Sequence, residues 1–95
     1  MKTAKLDFTN CTEETDFFDR IIEALGLGVD YCGRNWSAIY DFSRSEKMVE
    51  KVVITGTSNL KGYMRKYIPE MVETFDYIIE SYEQRGKLFI YEIID

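Results

Sequence analysis

Three stretches of this chain are apolar without a helical period. Ala4-Lys5-Leu6-Asp7-Phe8-Thr9 alternates in part, Lys51-Val52-Val53-Ile54-Thr55 is a continuous run stopped by Gly56, and Lys87 to Ile94 is mostly apolar. Each predicts a strand, and the continuous runs predict burial on both faces, as in a parallel sheet with helical crossovers. Between them the apolar positions recur at three and four. Phe17/Phe18, Ile21/Ile22 and Leu25 predict a first helix. Thr12 or Thr15 would cap it, Glu13, Glu14 and Asp16 suit its positive end, and Gly26 stops it. Trp36, Ile39 and Tyr40 predict a second short helix after Gly33, capped by Asn35. Thr57-Ser58-Asn59 offers caps for a third short helix through Leu60, Tyr63, Met64 and Tyr67. Pro69 suits the first turn of a fourth, with Met71/Val72, Phe75, Ile78/Ile79 and Tyr82 as its apolar face. The order β-α-α-β-α-α-β predicts an α/β fold: a parallel sheet with right-handed crossovers, packed by about four helices.

Length and composition fit that picture. With 95 residues, 45% of them hydrophobic, the chain makes one domain, 1–95, with a real core. No apolar run approaches the ~20 residues of a membrane span. Lys2 and Lys5 precede no apolar leader segment. Cys11 and Cys32 read as free, half-buried thiols, and a cytoplasmic location follows as the expectation.

Charge changes the picture more. The net charge is −5, and segment 69–84 carries Glu70, Glu73, Asp76, Glu80 and Glu83 with no base. Segment 42–66 sets six bases against two acids. The acidic total argues against nucleic-acid binding, which needs phosphate-neutralising cations, and suits a basic protein partner.

Catalytic chemistry is thin. Without histidine there is no Ser-His-Asp or Cys-His pair and no histidine metal ligand. The glycine-rich segment 26–33 follows a helix and lacks the Gly-Lys-Ser/Thr ending of a phosphate loop. At Thr55-Gly56-Thr57-Ser58-Asn59 helix capping is a simpler reading than anion binding. Glu73, Asp76, Glu80 and Glu83 fall on one stripe of the fourth helix, where a solvated, mutually repelling surface is the ordinary outcome. The expectation is a binding protein, not an enzyme, with no cofactor and no metal.

One stretch carries a resemblance. Asp30-Tyr31-Cys32-Gly33-Arg34-Asn35-Trp36-Ser37-Ala38-Ile39-Tyr40-Asp41 resembles the central segment of the barstar family, intracellular inhibitors of small secreted microbial ribonucleases. The element order fits along essentially the whole chain. The resemblance implies a three-stranded parallel sheet and inhibition by occlusion, in which a loop and the second helix plug the ribonuclease active site. Asp41 matches the aspartate that takes the place of a substrate phosphate, and Tyr31 matches an aromatic that packs on a catalytic side chain. Gly33 matches the turn glycine, Asn35 the cap, Ala38 a small residue that lets the partner approach, and Tyr40 an interface aromatic. Trp36 and Ile39 match core positions. Four positions depart: Cys32 stands for an aromatic, and Arg34, Ser37 and Ser81 for acids, although Glu80 flanks the last. On a helical wheel Arg34, Ser37, Asp41 and Arg44 share one side, so the resemblance implies a less acidic contact surface than the prototype's. The implied binding residues are Tyr31, Gly33, Asn35, Ser37, Ala38, Tyr40, Asp41 and Glu80. The implied partner is a small basic ribonuclease or toxin, met by a chain that is monomeric when free. The alternative is an interaction module on the same fold with a non-nuclease partner.

Overall fold

A computed structural model of the chain describes residues 1–45 and 47–94. It contains β1 (Thr3–Asp7), α1 (Glu14–Leu25), α2 (Trp36–Ser45), β2 (Lys51–Thr55), α3 (Tyr67–Gln84) and β3 (Ile90–Ile93). The sheet order is β1-β2-β3 and both pairings are parallel. Thr3–Asp7 runs beside Lys51–Thr55, and Lys51–Ile54 beside Ile90–Ile93. The α/β class, the three parallel strands and the barstar-like order are as the sequence predicts.

The details differ in four places. β1 stops at Asp7 because its carboxylate folds back on Thr9, taking the amide at 2.9 Å and the hydroxyl at 2.7 Å, the bonds of an Asx turn. β3 begins only at Ile90, because Lys51 at the start of β2 is its first ladder partner, so Lys87–Phe89 lie outside the sheet. Neither Thr12 nor Thr15 caps α1. Glu13 occupies the cap position without a side-chain bond, and Thr15 is already inside the helix. The third α-helix is replaced by two 3-10 turns, Thr57–Asn59 and Gly62–Lys66, the second leading directly into α3. Gly62, which opens the second turn, takes φ +64°, a left-handed conformation that breaks a continuous α-helix through this segment. Pro69 lies in the first turn of α3, where a missing N–H costs nothing.

Burial is also one-sided. Leu6, Val52 and Ile54 are buried, while Lys5, Asp7 and Glu92 on the opposite face are exposed, with Lys51 reaching Glu92 at 3.7 Å. The expectation of two covered faces is therefore corrected. Two right-handed crossovers stepping in the same direction, β1 to β2 to β3, put every helix on one side. Alternation, not a continuous apolar run, is then the physical requirement of each strand.

The core lies between that inner face and the helices. Phe8 stacks on Phe17 at 4.9 Å, and Phe75 meets Phe89 and Tyr91 edge-on at 5.7 and 5.5 Å. Burial first, then donation of its hydroxyl to Asp76, pushes the Tyr91 phenol up to about 12. α1 ends in a Schellman motif, with Gly26 at φ +85° and the amides of Gly26 and Leu27 bonded to Glu23 and Ile22.

Gly56, at φ +76°, closes β2 against β1. A β-carbon there would stand 2.8 Å from the Thr9 amide nitrogen and 3.0 Å from the Asp7 carboxylate. Gly56→Ala is expected to lower stability by about 2–4 kcal/mol, adding left-handed strain to overpacking, as read by urea denaturation.

Candidate protein-binding surface

The sequence-selected residues fall on the loop 28–35 and on α2, except Glu80, which is on α3. The loop is a tight local structure. The Gly28 carbonyl accepts from the amides of Tyr31 (3.1 Å) and Cys32 (2.9 Å), and Gly33 accepts from Asn35 at 2.9 Å. Cys32 points inward and is only 5% exposed, so it anchors the loop in the core. Tyr31 points outward and is 80% exposed. Its ring leans over Gly28, where a β-carbon would come within 2.6 Å of Cδ2. Gly28 thus belongs with the candidate residues, and no sequence signal separated it from an ordinary loop glycine.

Asn35 starts α2 as predicted: its Oδ1 accepts from the Ala38 amide at 2.8 Å. Gly33 keeps a negative φ. Its glycine is explained by crowding, since a β-carbon would stand 3.1 Å from Asn35 Nδ2 and 3.2 Å from Ala38 Cβ. Gly33, Asn35 and Ala38 therefore form one packed corner that sets the direction in which α2 leaves the loop.

Helix α2 is held against α3 at both ends. At the start, the half-buried Trp36 packs on Phe18 (4.9 Å) and Phe17 (6.0 Å) and donates from Nε1 to Glu70 at 2.8 Å. At the finish, the buried Tyr82 hydroxyl donates to the Ser43 carbonyl at 2.6 Å, and Arg85 donates to the Arg44 carbonyl at 3.0 Å. Between these ties lies a cleft of about 250 Å³ lined by Trp36, Ser37, Tyr40, Asp41, Thr74 and Tyr77. The fold thus brings Ser37, Tyr40 and Asp41 together on one rim. Tyr31 stands on the preceding loop, and Glu80 lies elsewhere, on the outer groove of α3 with Ile68, Pro69, Val72, Glu73 and Asp76. Tyr77 borders both hollows and is 56% exposed. Sequence reading missed it because it sits within the apolar period of α3 beside Ile78.

The charges are arranged differently from the helical-wheel picture. Arg34 turns away toward α1 and grips Asp19 with two bonds, 2.7 and 3.3 Å. Arg44 lies over the Tyr40 ring at 5.8 Å. Asp41 is exposed and has no hydrogen-bond or ion-pair partner among the described residues. Among those residues no three acidic or cysteine side chains converge as a metal site would require. No helix of the described chain is long and apolar enough to cross a membrane.

A family model, Barstar (barnase inhibitor), matches residues 1–94. The chain belongs to the barstar family. Members of the family are ribonuclease inhibitors, not enzymes. No curated protein matches the chain significantly. Cys11 and Cys32 are both buried, at 3% and 5% exposure, rather than half-buried as the sequence suggests. Burial pushes both thiols up, Cys32 by desolvation alone and Cys11 by desolvation foremost.

Two measurements test this division of roles. Native protein is expected to react slowly with a chromogenic disulfide reagent, both thiols becoming fast together only on unfolding. Asn35→Ala is expected to cost about 1 kcal/mol of stability by loss of the cap, whereas Tyr31→Ala stays within about 0.5 kcal/mol in the same urea titration.

Proposed function

We propose that this chain inhibits a small, basic, barnase-type ribonuclease by covering its active site with the loop 28–35 and the outer face of α2. The observation that carries the reading is Asp41: an unpaired, exposed carboxylate on a rigidly held helix, at the rim of a cleft shared with two tyrosines. A carboxylate that meets arginines away from water makes charge-assisted, often bidentate bonds, which is how it stands in for a substrate phosphate. The helix runs on to Ser45, so Asp41 stands in mid-helix with its exposed carboxylate open to a cationic partner.

The remaining residues have supporting parts in this reading. Tyr31 packs on the partner's catalytic side chains. Gly33 and Ala38 let its backbone approach, and Ser37 and Tyr40 flank the aspartate. Asn35 holds the corner. Glu80 and its neighbours on α3 attract a basic partner from the side, an effect that weakens with salt. Like its family, the chain would work inside the cell on a nuclease otherwise destined for secretion.

Asp41→Ala should weaken inhibition by about 10²–10³-fold, the loss that follows from leaving the partner's cations buried and unpaired. Its urea midpoint should stay at the wild-type value. The assay is inhibition of a panel of barnase-type ribonucleases by wild type and variant. An unchanged inhibition constant against an enzyme that wild type inhibits would overturn the role of Asp41. Inhibition of none of them would instead favour a non-nuclease partner for the same surface.

A further inference from the structure

A second hollow, of about 460 Å³, opens at the C-terminal ends of α2 and α3, beyond the ties that join them. We propose that it binds a small amphiphilic anion, a carboxylate head on a short apolar body. The volume lies within the range of small-molecule sites, roughly 300–1,000 Å³.

The lining divides by chemistry. Buried Met48 and Tyr82 form an apolar floor, and Leu88 adds an aliphatic wall that is 44% exposed. Arg44, Lys47 and Lys87 stand at the rim. None of the three has a carboxylate within ion-pair distance among the described residues. The one described carboxylate of the lining, Glu50, is engaged elsewhere, accepting from the Lys2 amide at 2.9 Å.

A helix C-terminus would normally repel an anion through its free carbonyls. Here two of them are removed from play. Tyr82 takes Ser43 and Arg85 takes Arg44, and the Arg85 guanidinium then lies over the Tyr82 ring at 4.9 Å, adding a fourth positive charge behind the floor. An anionic head at the rim would meet three cations that have no ion pair among the described residues, while its apolar body covers Met48 and Leu88. A neutral ligand of the same size would gain only the second term, and a bare anion only the first.

Amide NMR titration of the full chain separates these contributions. Decanoate should give saturable shifts at residues 47–49 and 87–89. Octyl glucoside and acetate, the neutral amphiphile and the bare head, should each bind far more weakly there. The double variant Lys47→Glu/Lys87→Glu, both at exposed positions, should bind decanoate about tenfold more weakly while its core amide pattern stays unchanged. Binding of octyl glucoside or acetate as tight as that of decanoate would overturn the proposal. So would undiminished decanoate binding by the folded double variant, or decanoate shifts spread equally over Ile93, Ile94 and the hollow. Ribonuclease inhibition does not enter the test, so its outcome is independent of the function proposed above.

Discussion

A hydroxyl hidden between two helices holds the proposed contact surface in place. Helix α2 has only ten residues, too few to be stable alone in water. Its last carbonyls lack intrahelical partners, and the Tyr82 phenol, buried in the core, lacks water. Each satisfies the other at 2.6 Å, so breaking the bond would strand two polar groups at once. Arg85 repeats the arrangement one residue further on, and Trp36 with Glu70 closes the opposite end. A short helix so held can present Ser37, Tyr40 and Asp41 with little motion to freeze out on binding.

Within that frame the charges are sorted by element. The base that stands for an acid of the family pattern, Arg34, is spent on Asp19 of α1 and is drawn away from α2. Arg44, Lys47 and Lys87, without an ion pair among the described residues, stand past the end of α2 around a hollow with an apolar floor. The acids concentrate on α3, where Glu73, Asp76 and Glu80 line an outer groove joined to the α2 cleft through Tyr77. Asp41 sits between the two regions. An acidic surface thus stands beside α2, because α3 lies alongside it.

Much of this was legible from residue order. Helices α1 and α2 and the long final helix follow from periodicity that survives folding, because each buries one face on a common core, while the strands were legible as apolar runs whose one-sided burial those runs did not reveal. Asn35 was readable as a cap because its job is local: the atom it bonds is three residues away. The 3-10 segment was misread because Leu60, Tyr63, Met64 and Tyr67 keep helical spacing while Gly62 takes a left-handed φ that spacing does not reveal. The caps of α1 were misplaced for a related reason, since two threonines with similar flanks compete and the chain uses neither.

The sequence by itself determined the class, the order of the strands and main helices, and the family, all properties set by neighbours in the chain or by whole-chain pattern. Only the tertiary structure decided that one face of the sheet stays open, that Arg34 is neutralised by Asp19, and that Tyr77 joins two hollows. It also decided that the Tyr31 ring lies over Gly28. Each of those depends on where separate elements meet, and a side chain's partner across a helix interface leaves no mark in its own local sequence.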